Sequence, residues 1–188
     1  MRTIDCHYQD PLELVWIAAA RQWGMHVVRD ATVFASWDGD GTLKIGTPET
    51  LDPDDSVAQM ILHELCHALV EGPAAFRLPD WGLDIHDPSQ RVHEHACLRL
   101  QAALADRYGL RHFLAATTNF RKYYDALPDR PLEECGDPAV PLAGAGWRRA
   151  QRDPWSNPLD TALQATADIA KRVLPLAPDD PLWRRVQS

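Results

Sequence analysis

The chain has 188 residues, 45% of them hydrophobic and 24% charged, which suffices for one domain with a substantial core and is ordinary for a globular protein. Its net charge of −8 argues against nucleic acids and anionic membrane surfaces as partners, because proteins that bind them carry basic patches. No stretch has the roughly 18–20 apolar residues of a membrane span, and the polar first residues lack the pattern of a secretory signal, so we expect no membrane association and a cytoplasmic location.

The first third of the chain predicts one helix followed by short strands. Apolar residues recur at helical spacing over residues 12–23, and Gly24 then provides a natural end. Short runs of apolar and β-branched residues follow, and the Asp-Gly-Asp-Gly turn at residues 38–41 is typical of a β-hairpin. The strands are expected at residues 25–29, 32–37 and 42–46.

A long helix that is buried on most sides is predicted next. Asp52 suits its N-cap and Pro53 its first turn, while Gly72 and Pro73 end it after about Val70. Apolar side chains cover a wide arc of the helical wheel. The remaining stripe is polar and contains Ser56, Gln59, His63, Glu64, His67 and Glu71.

Beyond this helix the pattern predicts an irregular loop and then further helices. The loop is expected at residues 73–86, a second long helix at about 88–108, and another helix within 110–126. Glu94 lies at the edge of the apolar face of the second long helix.

The last third of the chain has a different composition. Nine of the fifteen prolines lie in residues 128–188, and the clearest helix there is expected at 158–174. We expect a core domain at 1–127 and a proline-rich, partly helical C-terminal extension at 128–188. Three tryptophans in the extension indicate that it packs on the core, because large rings are costly to expose. They are Trp147, Trp155 and Trp183.

The H-E-L-C-H sequence at residues 63–67 has the pattern H-E-x-x-H. His63 and His67 lie about one turn apart on one helix face, so both imidazoles can reach one metal ion. Glu64 between them can hold a metal-bound water and accept its proton. The alternative is a polar stripe that faces solvent, and the apolar faces around it argue against that reading.

A catalytic zinc ion needs a third protein ligand and an open position for water. Val70 and Pro73 stand where the metzincin pattern has Gly and His, which excludes that pattern. Glu94, which follows His67 by 27 residues on the next long helix, is the preferred third ligand. The alternatives are His93 and His95 beside it, and Asp84, His86 and Asp87 in the loop.

The H-E-x-x-H motif followed by a helical Glu94 resembles the gluzincin branch of the zincin metallopeptidases. The E-H-A-C sequence at residues 94–97 is also loosely similar to the second helix of small bacterial proteases related to those that cleave phage-type repressors. This resemblance covers about residues 55–105. It implies an α+β, zincin-like fold, with a small antiparallel or mixed sheet packed on the active-site helix and a mostly helical C-terminal half. It further implies that an edge strand, 42–46 or 32–37, binds substrate by β-augmentation.

By the same resemblance, His63, His67 and Glu94 bind Zn²⁺, and Glu64 is the general base that activates the water. The implied activity is hydrolysis of peptide bonds in a peptide or protein substrate. Such enzymes often use a Tyr, His or Arg to stabilise the oxyanion, and other groups orient the ligand histidines. The candidates for the oxyanion are Tyr123, Tyr124, His112 and His93; those for orientation are Asp84, Asp87 and Glu71.

Two other functions are compatible with the same residues. The chain could be a non-catalytic or self-inhibited binding module of the zincin fold, with the C-terminal extension lying over the cleft. It could also be a metal-assisted hydrolase that acts on a non-peptide substrate. The sequence indicates no oligomeric state.

The cysteines are widely spaced and form no C-x-x-C pair, so we expect free thiols. Cys66 and Cys97 are expected to be small buried residues at a helix interface near the motif. A redox-sensitive thiol pair and thiolate ligation are the alternatives. The other two cysteines are Cys6 and Cys135.

Overall fold

The computed structural model describes residues 8–84 and 87–177. In this part of the chain the helices are α1 (Pro11–Gln22), α2 (Val57–Glu71), α3 (Arg91–Asp106), α4 (Arg121–Asp125), α5 (Ala139–Ala150) and α6 (Ser156–Val173). The strands are β1 (His26–Arg29), β2 (Ala35–Trp37) and β3 (Thr42–Ile45). Over these residues the protein is α+β and 55% helical, with a small mixed sheet of three strands, which confirms the predicted class.

The sheet leaves β2 at an edge. β3 is the central strand, because it pairs in parallel with β1 and antiparallel with β2. The predicted hairpin is confirmed, and Asp38 stabilises its turn by accepting the N–H groups of Asp40 and Thr42 at 2.7 and 2.9 Å. The expectation that residues 42–46 could form a substrate-binding edge is wrong, since β3 is paired on both sides.

α2 begins four residues later than predicted. Ser56, not Asp52, is the N-cap, and its hydroxyl accepts the N–H of Gln59 at 3.2 Å. Asp52 and Asp55 instead close a turn before the helix, in which each donates its N–H to the other, at 2.9 and 3.0 Å. Residues 57–70 are all buried, so the polar side chains of this helix lie inside the protein.

Two other helices differ in extent from the prediction. α3 begins at Arg91 instead of residue 88, because Pro88–Gln90 forms a separate 3-10 turn. Within 110–126, only α4 is helical. Thr118 explains part of this difference, since its hydroxyl accepts the N–H of Phe120 at 3.1 Å and so competes with helical hydrogen bonds.

α5 has no counterpart in the sequence-based prediction. It contains Pro141, Gly144 and Gly146, and the two glycines give it a weak helix propensity. Its tertiary contacts compensate, because α5 packs against both α2 and α3. The guanidinium of Arg149 also donates to the C=O groups of Leu69 and Val70, at 2.6 and 2.8 Å, and so caps the C-terminal end of α2.

α6 packs on α1 and joins the C-terminal segment to the same core. It lies close to the predicted 158–174. The indole N–H of Trp16 donates to the Thr166 hydroxyl at 3.0 Å, and the ring of Trp155 lies 6.2 Å from that of Trp23. Trp147 also packs on the core, whereas Trp183 lies outside the described residues. None of the helices in the described ranges combines the length and apolar character needed to cross a membrane.

The contact of α5 with the site-bearing helices can be tested at its two glycines. A Cβ at Gly146 would lie 2.7 Å from Leu100 Cδ2 and 3.2 Å from Val70 Cγ2, whereas one at Gly144 meets only Arg148 Nη1 at 3.6 Å. We expect Gly146→Ala to lower the free energy of unfolding by about 1–3 kcal/mol through overpacking. Gly144→Ala should raise it by roughly 0.5–1 kcal/mol through helix propensity. Urea unfolding followed by circular dichroism measures both; equal effects would contradict this packing.

Candidate metal centre

Three side chains from α2 and α3 converge on one point. Nε2 of His63 and Nε2 of His67 are 3.2 Å apart. The carboxylate of Glu94 lies 3.3 Å from the His67 nitrogen and 3.7 Å from the His63 nitrogen. A tetrahedral zinc ion with bonds of about 2.0–2.1 Å needs ligand atoms roughly 3.3–3.4 Å apart. The three residues therefore form a group that could hold a metal ion.

Partners on α3 orient both imidazole rings. Nδ1 of His63 lies 3.0 Å from Oε1 of Gln101, and the Gln101 amide donates to the C=O of Leu114 at 2.8 Å. Oε1 of Gln101 can only accept a hydrogen bond. His63 therefore carries its proton on Nδ1 and points the Nε2 lone pair at the centre. Nδ1 of His67 lies 3.1 Å from Sγ of Cys97, and donation to this sulfur would leave His67 in the same tautomer.

The charges around the centre favour a cation. Burial raises the pKa of Glu94, but His67 and His63 outweigh it and lower that pKa to about 2, so Glu94 is a carboxylate at neutral pH. Burial lowers the pKa of His67, but Cys97 and Glu94 outweigh it, and the net shift is well upward. Oε2 of Glu94 is buried and has no hydrogen-bond partner among residues 8–84 and 87–177. An orphaned carboxylate oxygen beside two ring nitrogens fits a divalent metal ion.

The other histidines considered as ligands are engaged elsewhere. Nδ1 of His93 lies 2.7 Å from the Glu71 carboxylate, and this pair joins α3 to α2. His95 stacks on the Tyr123 ring, with centroids 3.7 Å apart and planes 9° apart. Neither histidine belongs to the convergent group. The sequence had suggested that Glu71 orients one of the convergent histidines, but Glu71 is paired with His93 instead.

The loop candidates lie near the centre without joining it. Asp84 and Asp87 line the adjacent cleft, but neither belongs to the convergent group among the described residues. Asp87 instead accepts the N–H of Ser89 at 2.8 Å and caps the turn before α3. His86 lies outside the described residues. Gln101 and Cys97 instead contact the rings of His63 and His67, and sequence reasoning did not assign them to that role.

A cleft of about 750 Å³ opens beside the convergent side chains. Glu64, His67 and Glu94 line one part of it, and Ala35 of β2 lines another. Alternation along an antiparallel pair turns the main chain of Ala35 toward the free edge. Phe34 and Asp38, one and three residues from Ala35, have the opposite orientation: the C=O of Phe34 accepts the N–H of Gly46 at 2.8 Å, and the N–H of Asp38 donates to the C=O of Thr42 at 3.1 Å. In the part of the chain that the structure describes, the cleft thus joins an unpaired strand edge to the convergent group.

None of the four residues proposed for the oxyanion lines this cleft. The Tyr123 hydroxyl donates to Asp137 at 2.8 Å, and the buried Tyr124 donates to the C=O of Arg111 at 2.8 Å. His93 is paired with Glu71, and His112 is exposed. Arg91 does line the cleft. Its position one turn before Glu94 on α3 is the sequence signal that could have identified it as a cleft residue.

Comparison with known proteins adds no relative. No model of a known protein family matches the chain, and neither a curated protein nor a solved structure matches it. A functional conclusion therefore depends on the geometry of the convergent side chains and the cleft.

The cysteines near the centre are free and buried. Cys66 and Cys97 form no disulfide, and Cys135 is free and exposed; Cys6 lies outside the described residues. Burial raises the pKa of the Cys66 thiol and that of Cys97, the latter to about 11. Both therefore stay protonated and react poorly near neutral pH.

Thiol trapping tests this arrangement. We expect an alkylating reagent to modify Cys135 quickly in the folded protein, and Cys66 and Cys97 only after denaturation, because they are buried and protonated. Mass spectrometry of tryptic peptides reads each site separately. Full modification in denaturant without reductant is expected; a requirement for reductant at Cys66 and Cys97 would show a disulfide and contradict the structure.

Proposed function

We propose that this protein is a zinc-dependent metallopeptidase with a zincin-like arrangement of its sheet and active-site helix. The observation that carries the proposal is the convergence of His63, His67 and Glu94, whose facing ring nitrogens and carboxylate oxygens are all potential metal ligands. Two histidines and a glutamate are the donor set of one common class of catalytic zinc site.

Glu64 supplies the acid–base chemistry in this proposal. A divalent metal ion held by the three ligands would polarise a substrate carbonyl and lower the pKa of a water molecule. Glu64 lies between the two histidines in the chain and lines the same cleft. Its carboxylate accepts the proton of the attacking water and then passes it to the leaving amine. Arg91, which carries a fixed positive charge in the cleft, is placed to attract the substrate.

The free edge of β2 favours a peptide as the substrate. An extended peptide can add to such an edge through main-chain hydrogen bonds, which bind it without regard to its side chains. Ala35 lines the cleft that Glu64 and Glu94 also line, and strand alternation turns its N–H and C=O toward the unpaired edge. A non-peptide substrate would gain nothing from that edge.

Self-inhibition by the C-terminal extension can be considered only for its described part. Among the described residues, those that line the cleft fall between Val33 and Phe120. The part of the extension that the structure describes, 128–177, packs elsewhere through α5 and α6. We therefore propose catalysis without prior removal of this segment.

Metal analysis tests the ligand set. We expect about one zinc ion per chain in the wild type and a loss of binding in His63→Ala and in Glu94→Ala, because each removes one of three ligands. His93→Ala and His95→Ala are matched controls that flank Glu94 and should retain zinc. Elemental analysis after dialysis against a weak chelator gives the ratio. Unchanged zinc in His63→Ala would refute the metal centre.

Turnover of a broad peptide library tests the role of Glu64. Glu64→Gln should retain zinc but lower kcat roughly 10²- to 10⁴-fold, because the amide cannot accept the proton. Glu71→Gln is the matched control, since Glu71 lies on the same helix but pairs with His93, and its kcat should stay near wild type. Equal activity of Glu64→Gln and the wild type would disprove general-base catalysis by Glu64.

A further inference from the structure

The indole of Trp81 lies directly against Glu64. Its Nε1–H donates to Oε2 of that carboxylate at 2.8 Å. Both groups are buried, with 3% of Trp81 and 9% of Glu64 exposed to solvent. An N–H bond to a buried carboxylate is charge-assisted and therefore strong and directional. One oxygen of Glu64 is thus occupied, and the other remains for proton transfer.

The backbone around Trp81 adopts an unusual conformation that aims the ring at Glu64. Asp80 and Trp81 have φ of 47° and 61°, a left-handed region that non-glycine residues rarely occupy and that costs conformational energy. Two contacts with β2 hold this conformation. The Asp80 carboxylate accepts the Ser36 hydroxyl at 2.8 Å and the N–H of Trp37 at 3.1 Å.

Ring stacking completes the support of the indole. Trp81 stacks on Trp37 with centroids 4.8 Å apart and planes only 2° apart, and Phe76 meets Trp81 edge-on at 5.2 Å. The indole can therefore move little without breaking the stack, and its N–H stays directed at Glu64. By contrast, the terminal torsion of a free glutamate is broad, so an unsupported carboxylate would sample many orientations.

We propose that Trp81 is a positioning residue, which fixes the Glu64 carboxylate in the orientation that proton transfer needs. This inference rests on the proposed function, because it concerns the same general base. In this role Trp81 acts through its hydrogen bond to Glu64. Its effect should therefore fall on kcat, with substrate affinity and metal binding left unchanged.

Trp81→Phe tests the proposal, because it removes the N–H and keeps an aromatic ring for the stack. We expect kcat to fall roughly 10- to 100-fold, as for the loss of a partner that orients a reacting group, with KM and zinc content unchanged. Trp16→Phe is the matched control: it also removes one buried indole hydrogen bond, to Thr166 at 3.0 Å, but between α1 and α6. Trp16→Phe should keep the wild-type kcat.

A second measurement needs neither activity nor metal. In the metal-free protein, the indole N–H resonance of Trp81 in a ¹H–¹⁵N correlation spectrum should shift in Glu64→Gln, because the charge of its acceptor is removed. The resonance should stay in place in Glu71→Gln. This spectroscopic measurement does not require that Trp81→Phe folds.

The outcomes separate this inference from the proposed function. An unmoved Trp81 resonance in Glu64→Gln would overturn the inference, and so would a kcat of Trp81→Phe equal to that of Trp16→Phe. A wild type that binds zinc but cleaves no peptide would instead overturn the proposed function, and the positioning role with it. In that case the resonance shift would still show the contact between Trp81 and Glu64. Failure of the proposed function can therefore be distinguished from failure of this inference.

Discussion

The structure depends on one constraint: α2 is buried on every side and yet carries His63, Glu64 and His67. A buried polar group without a partner costs free energy, so each of these side chains requires a partner from another element. Gln101 and Cys97 on α3 supply the partners of the two histidines, and the loop residue Trp81 supplies that of Glu64. The surrounding packing, including α5 and its close approach at Gly146, keeps α3 in the register that these contacts need.

The polar stripe of α2 and the candidate ligand Glu94 were predictable, because helical periodicity and motif spacing are local properties of a sequence. The hydrogen-bond partners of these polar side chains were not predictable, since only tertiary packing brings Gln101 and Trp81 to α2. The same holds for α5, whose glycines oppose a helix locally and permit close packing globally. Asp52 failed as a cap for a related reason: the local signal was real, but Asp55 closed a turn with it and left Ser56 to begin the helix.

The segment around Asp80 links the two parts of the cleft. Its carboxylate takes the outward N–H of Trp37, so the strand edge open to a peptide lies at Ala35 and earlier. The next residue, Trp81, contacts Glu64. A left-handed conformation at two successive non-glycine residues is rarely retained unless its surroundings enforce it. Here the contacts with β2 and the aromatic stack enforce the left-handed conformation. The segment thereby joins the proposed substrate edge to the proposed general base.

Electrostatics favour a cation at the convergent side chains. Burial opposes charge on both residues, yet their mutual attraction helps to raise the pKa of His67 and to lower that of Glu94. The helices that carry these two residues are held together by an apolar core. If a divalent metal ion bound there as proposed, its two positive charges would replace the single charge that a protonated His67 supplies. The buried carboxylate of Glu94 would then gain the stronger interaction, because one of its oxygens has no hydrogen-bond partner among the described residues.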